Sequence, residues 1–287
     1  MRSCLLAFAL IFLSGTACPG FGDTMKPIKI YIHTDLEGVT GIGTYESIET
    51  DGPGYQRCRE LLMGDLNAAI EGAFEGGADM VTVLDSHGGS RAKNFIPEML
   101  DKRAEQDFKE NKKWWGKLDE SYAATMFIGA HAMAGTLNAF LDHTQTSVTW
   151  YNYSVNGRRF GELAQWATVA GHFDVPLVMV SGDAAACAEA KGFFRPVETA
   201  VVKSGIGRNK ARLVEEGEAR RRIREAARDS IALIGKAKPF KPKMPMEIVL
   251  EFQRSDYCDA VADRPGIERL DARTIRKMGA TGLDIFP

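Results

Sequence analysis

Apolar residues fall along the chain in two rhythms. Ile28, Ile30, Tyr31 and Ile32 make a nearly continuous run, which predicts a strand over 28–33 buried on both faces. Similar runs predict strands over 80–84, 125–129, 175–181, 197–203 and 247–252. The stretch 146–155 is β-rich and ends in the tight-turn pair Asn156-Gly157. Between these runs the period lengthens. Leu61, Leu62, Leu66, Ala69, Ile70, Ala73 and Phe74 recur at helical spacing, predicting a helix over 56–76 that Gly76-Gly77 stops. Helices are also expected over 162–172, 184–191 and about 210–234. The charged segment 94–122, with Trp114-Trp115 inside it, reads as partly helical and partly loop.

Strands alternating with helices imply βαβ units, so the expected fold class is α/β: a mostly parallel sheet flanked by helices, with a smaller C-terminal α+β part. The composition shifts near Ser204. From there to Lys243 basic residues outnumber acids, and Arg220-Arg221-Arg222 falls inside a predicted helix. An anion-attracting surface and a solvated helix face both fit this run, and the solvated face is preferred. Pro239, Pro242 and Pro245 form a short linker before the strand over 247–252. The expected organisation is a main α/β domain over 24–203 and a smaller C-terminal domain over 204–287.

The first residues differ from the rest. Arg2 precedes an apolar run from Cys4 to Leu13, followed by Ser14-Gly15-Thr16-Ala17. This has the form of a secretory signal over 1–23 rather than a membrane span, and Gly15-x-Ala17 fits cleavage before Cys18. The expectation is an exported protein, periplasmic or extracellular, with no stable membrane span once processed. Lipid anchoring at Cys18 is an alternative, against which Gly15 stands where such signals usually carry Leu. Cys58, Cys187 and Cys258 then remain, too few and too scattered for a zinc ribbon or a disulfide framework, and are expected as free, mostly buried thiols. At 287 residues, 45% hydrophobic and with a net charge of −2, the chain is ordinary globular material with no reason to bind nucleic acid.

Chemistry-bearing residues cluster where the apolar runs end. His33-Thr34-Asp35-Leu36-Glu37-Gly38 follows the first strand, Asp85-Ser86-His87-Gly88-Gly89 the second and Gly129-Ala130-His131-Ala132 the third, while Gly161-Glu162-Leu163 opens a helix. Strand ends are where open α/β sheets hold their chemistry, and nitrogen and oxygen donors converging there suit zinc, one ion or two. Asp35 and Glu37, two apart, would face one site from an extended segment, with His33 a rival ligand or a partner to one. Gly38 allows a tight turn or a close backbone approach. His143, after Asp142 in a polar loop, is a candidate proton donor or oxyanion partner, and His172 reads as structural. No phosphate-binding Gly-rich loop, no G-x-S-x-G and no His-Glu-x-x-His occurs. The residues alone point to a metallohydrolase, with a secreted solute-binding protein and a binuclear phosphoesterase as rivals.

The ordered set HTDLEGVTGI, VLDSHGG, FIGAHAMA, NGRRFGELAQWATVAGHFDVPLVMVSGD and AVVKSGIGR resembles the DppA-type D-aminopeptidases, a metallopeptidase family, over roughly residues 26–213. The resemblance implies a zinc-dependent aminopeptidase that removes the N-terminal residue of short peptides containing D-amino acids of the D-Ala type. It implies two zinc ions held by Asp35, Glu37, His87, His131 and Glu162, with Asp35 the bridge. The family's catalytic histidine matches His143, although the loop from His131 is one residue longer here. Lys203 and Arg208 match a K-x-G-x-G-R segment that would either grip a peptide carboxylate or hold domains together. The resemblance also implies a ring-like homo-oligomer with sites facing an inner cavity. Two departures stand out: relatives are cytoplasmic, and residues 281–287 match no motif of the family. No substrate-binding residue is assigned.

Overall fold

The computed structural model describes residues 26–50, 52–88, 93–108 and 113–287. The expected signal over 1–23, with Cys4 and Cys18, lies outside the described residues.

Strand β1 (Lys29–Thr34) sits in the middle of the larger sheet. It pairs in parallel with β2 (Met80–Asp85) on one side, and β2 pairs with β3 (Ala104–Asp107). On its other side lies β4 (Ala124–Ala130). The sheet has seven strands and continues from β4 through β7 (Leu177–Asp183), β8 (Glu198–Gly207) and β9 (Lys210–Leu213). Every pairing is parallel except that of β9 with β8. The second sheet is antiparallel, in the order β11-β12-β10-β5-β6, from β5 (Trp150–Val155), β6 (Arg158–Arg159), β10 (Met246–Phe252), β11 (Ile267–Arg269) and β12 (Thr274–Gly279). The protein is thus α/β, a mostly parallel sheet flanked by helices with an antiparallel sheet beside it.

Helices α1 (Tyr55–Glu75) and α4 (Glu216–Ser230) pack together over one face of the large sheet, burying Leu62, Leu66, Ile70, Ile223 and Ala227 with Ile30 and Ile32. Helices α2 (Glu162–His172) and α3 (Ala184–Phe193) cover the other face. Residues 163–171 of α2 are all buried because the helix is shared. Leu163, Trp166 and Ala170 belong to the core under the large sheet, whereas Ala164 and Val169 pack with Ile248 and Leu250 of the second sheet. A helix apolar on all sides needs such an interior position.

Three expectations are corrected. Among the described residues, 94–122 holds one turn of 3-10 helix (Pro97–Met99), the short strand β3 and turns, with no α-helix. The helix expected from 210 begins at Glu216, because residues 210–213 pair with β8 instead and Glu215 caps the helix by accepting from the Glu218 N–H at 2.9 Å. A division at 203/204 does not follow the sheets. Strands β5 and β6 lie before it yet build the antiparallel sheet, and β9 and α4 lie after it yet complete the parallel layer. Helix α5 (Ser255–Ala262), β11 and β12 form where no element was predicted. Cys58, Cys187 and Cys258 are free and buried, as expected. Among the described residues no helix is long and apolar enough to cross a membrane.

Candidate metal centre

Asp35 follows β1 directly and Glu37 lies in the turn beyond it. The Asp35 N–H donates to Ile128 O and the Gly38 N–H to Gly129 O, both at 2.8 Å, which ties this turn to the end of β4. Gly38 is required there: a Cβ would stand 2.1 Å from Ala130 O. The Glu37 carbonyl accepts from Lys203 Nζ at 2.6 Å. Lys203 is fully buried and its bond joins β8 to the turn after β1 within the parallel layer, so neither role read for it, gripping a peptide carboxylate or holding two domains together, is what this contact does.

His87 lies in the turn after β2. Asp85 accepts from the Asn94 N–H and from Asn94 Nδ2, both at 2.7 Å, and the same amide donates to His87 O at 3.0 Å. His131 follows β4, and its Nδ1 donates to Ala132 O at 3.0 Å, leaving Nε2 free to ligate. Glu162 opens α2, where the helix N-terminus favours a carboxylate, and Oε1 accepts from the Gln145 N–H at 2.7 Å.

These side chains converge. His87 Nε2 lies 3.4 Å from Glu37 Oε1, and His131 Nε2 lies 3.4 Å from Asp35 Oδ2 and 3.3 Å from Glu162 Oε1. Asp35, Glu37 and His87 form one potential ligand triad, and Asp35, His131 and Glu162 a second that shares Asp35. A third set combines Glu37, His131 and His143. His143 donates from Nδ1 to Leu141 O at 2.8 Å, and its Nε2 stands farther out, 3.7 Å from Glu162 and 3.9 Å from Glu37.

The donors fit zinc. Ligands about 2.0–2.1 Å from one tetrahedral ion stand about 3.3–3.4 Å from each other, which is the spacing of the His87–Glu37, His131–Asp35 and His131–Glu162 pairs. His131 Nε2 and Glu37 Oε2 are buried and make no hydrogen bond, a costly arrangement unless an ion completes it. Without an ion the charges lean on one another. Burial and the Glu37 carboxylate push Asp35 well above the usual carboxylate range. Burial alone would raise Glu37 and Glu162 too, but the imidazoles outweigh it, holding Glu37 well below its ordinary value and Glu162 at about 2. Burial likewise opposes charge on His87, yet the surrounding carboxylates, Glu37 foremost, lift it to about 9. Burial and the neighbouring His131 lower His143.

The centre opens into a cavity of about 440 Å³, whose lining includes Trp114, Gln145 and Phe286. The Trp114 and Phe286 rings meet with centroids 4.9 Å apart. Sequence reading assigned no role to these residues, because loops and the C-terminal segment bring them in; the one signal was the Trp pair in a polar stretch. His33 borders the cavity but belongs to neither triad. Its Nδ1 is 3.0 Å from Ser86 Oγ and its ring lies over Trp166 at 4.2 Å. His172 ends α2 and packs edge-on against Phe173.

The model of peptidase family M55, described as D-aminopeptidase, matches residues 28–286. A D-aminopeptidase of Bacillus subtilis (strain 168) is 31% identical over 244 residues, 84% of this chain and 87% of that protein. The solved structure of the Zn-dependent D-aminopeptidase DppA from Bacillus subtilis, described as a self-compartmentalizing protease, is similar with a TM-score of 0.85 and 28% identity, covering 90% of this chain and 94% of that one.

Proposed function

From the premise that the chain belongs to the M55 family of D-aminopeptidases, we propose how its own residues carry out that family's reaction. The protein is a zinc-dependent aminopeptidase acting on peptides that begin with a D-amino acid. Asp35, Glu37 and His87 would hold one zinc ion and Asp35, His131 and Glu162 a second, with Asp35 common to both groups. The observation that carries this reading is the pair of triads sharing Asp35, in which His87–Glu37, His131–Asp35 and His131–Glu162 stand 3.3–3.4 Å apart.

Bound zinc supplies Lewis acidity toward the scissile carbonyl and acidifies water near neutral pH. His143 handles a proton. Its Nδ1–H is tied to Leu141 O, so the neutral ring presents an Nε2 lone pair to the cavity. It can take a proton there and deliver it to the leaving nitrogen. The longer spacing of that nitrogen favours this role over ligation. Trp114 and Phe286 supply an apolar wall to the cavity beside these donors.

The protein is a homo-oligomer in this reading, ring-shaped with its sites facing inward, supported by the self-compartmentalizing description of the DppA neighbour. Export is also part of the proposal and rests on Arg2 and the apolar run from Cys4 to Leu13. A binding protein or phosphoesterase finds no support in the relatives. The test is metal analysis of the purified protein beside turnover of D- and L-aminoacyl dipeptides. Bound zinc with preferential cleavage of the D-series is expected, and zinc without peptide turnover would overturn the reading.

A further inference from the structure

The cavity over the metal centre has two kinds of wall. Asp35, His87 and Glu162 bring polar donors to it, whereas Trp114 and Phe286 bring aromatic rings. Both aromatic residues are only partly buried, so the cavity keeps an uncovered apolar surface beside the donors. Among the described residues that line it, no other large apolar side chain occurs.

This wall is fixed in place. Trp114 packs against Trp166 of α2, with ring centroids 5.9 Å apart. Phe286 stands 4.9 Å from Trp114 and 6.5 Å from Trp150. Its backbone is held from two directions. Lys277 Nζ, from β12, donates to Phe286 O, and the Tyr153 hydroxyl, from β5, donates to the carbonyl of the fully buried Ile285. Just before it, Thr281 Oγ1 accepts from the Leu283 N–H at 3.3 Å and Asp284 Oδ2 accepts from the Thr281 N–H at 2.8 Å, closing a turn of 3-10 helix over Gly282–Asp284. That turn rests on α2, where a Cβ on Gly282 would stand 2.7 Å from Thr168 O. Helix α2 therefore supports both Glu162 and the segment that presents Phe286.

We propose that Phe286, packed on Trp114, forms the pocket for the first side chain of the substrate and sets a preference for a bulky apolar D-residue, such as D-Leu, over D-Ala. The assignment rests on the aminopeptidase reading above. An aminopeptidase brings the first residue's amino group and carbonyl to the metal donors. The side chain borne between those two groups is then confined to the same cavity, where the aromatic pair is its apolar contact. A methyl group covers little of that surface. A larger apolar side chain covers more, and a single added methylene in an apolar pocket is worth about tenfold or more in kcat/KM. Space is sufficient, since a cavity of about 150 Å³ admits benzene and this one measures about 440 Å³.

The test compares three substrates on the zinc-loaded protein: D-alanyl-glycine, D-leucyl-glycine and D-alanyl-D-leucine. The wild type should prefer D-leucyl-glycine to D-alanyl-glycine by about tenfold or more in kcat/KM. Phe286→Ala should remove most of that preference, and Phe286→Leu, which keeps apolar bulk, should retain part of it. The ratio is taken within each variant, so any loss of folded or zinc-loaded enzyme cancels from it. A wild-type ratio near or below one, or a ratio that Phe286→Ala leaves unchanged, would overturn the assignment. So would a Phe286→Ala variant that loses D-alanyl-D-leucine selectively, since the wall would then serve the residue beyond the scissile bond. No hydrolysis of any of the three by the wild type would remove the aminopeptidase reading, and this assignment with it.

Discussion

The ring of His143 lies flat against that of His131, with centroids 4.0 Å apart and planes within 8°. Each imidazole gives its Nδ1–H to a backbone carbonyl, Ala132 O for His131 and Leu141 O for His143, and each turns Nε2 to the metal centre. The stack divides labour by distance. His131 Nε2 stands 3.3–3.4 Å from its two carboxylates, within the spacing of ligands on one ion, and His143 Nε2 stands 3.7–3.9 Å from its own. In the metal-free centre the two rings also cannot both be charged cheaply at this separation, so burial and His131 hold His143 below its ordinary value.

Replacing His143 by Ala should therefore separate chemistry from metal binding. The variant should keep its zinc while kcat for a D-aminoacyl dipeptide falls by about 10²-fold or more, the usual worth of a positioned acid or base. Zinc content is measured beside kcat at saturating zinc. Loss of metal would make His143 a ligand, as in the set it forms with Glu37 and His131.

His87→Ala and His131→Ala should each remove nitrogen from a different triad, so metal content and turnover should fall together in both. The two variants should not be equivalent. His131 is almost fully buried and approaches two carboxylates, while His87 is 24% exposed and approaches one, so the His131 variant should also be the less stable. Full metal and full activity in either would contradict the shared-Asp35 arrangement.

Much of the centre was legible because parallel strands end in one row. Once β1, β2 and β4 are read as neighbours in type, the polar residues after each must gather at one edge, and Asp35, His87 and His131 do so. Glu162 was legible as a helix-opening acid. The route by which Asp35 and Glu37 meet was not, since the chain leaves extended geometry after Thr34 and the turn is held by Gly38 against β4 and by Lys203 beneath. The cavity wall was hidden for another reason. Phe286 reaches Trp114 only because Ile285 is buried in the second sheet's core and its carbonyl accepts from the Tyr153 hydroxyl. That contact spans 132 positions of sequence and leaves no local signature. Strand β9 went unread because its four residues alternate weakly beside a strongly charged helix.

Zinc uptake by the metal-stripped protein should release protons and strengthen as pH rises. Despite its burial, the neighbouring carboxylates hold His87 at about 9 in the empty site, above its ordinary value of 6.5. The group is thus protonated in the folded apoprotein at neutral pH and must lose that proton to ligate. The same shift means that His87 stabilises the apoprotein fully below pH 6.5 and that this contribution fades as pH rises toward 9. Glu162, held at about 2, acts in the opposite sense: its contribution is present above pH 4.5 and is lost as pH falls toward 2. Titration calorimetry in buffers of different ionisation enthalpy measures the protons released. A heat independent of buffer, with an affinity flat between pH 6 and 9, would contradict the charge state assigned to the empty centre.

Lys203→Met should weaken zinc binding more than it weakens the fold. Lys203 Nζ donates to the Glu37 carbonyl at 2.6 Å from a fully buried position, over the Phe140 ring at 4.9 Å. Burial pulls this ammonium down to about 7, against the support of Asp65 and Asp183, so holding the charge there is costly. Met keeps the length and apolar stem and removes that cost, but it leaves the Glu37 carbonyl without its donor. An orphaned buried acceptor costs about 1–3 kcal/mol, partly offset here by the charge no longer buried. The turn that aims the Glu37 carboxylate then loses its anchor, and loss of an outer partner of a ligand typically costs about 10–100-fold in metal affinity. Chelator competition reports the zinc affinity, and thermal unfolding of the metal-free variant reports the fold. An affinity within twofold of wild type, together with a lowered melting temperature, would reduce Lys203 to a core group with no part in positioning the centre.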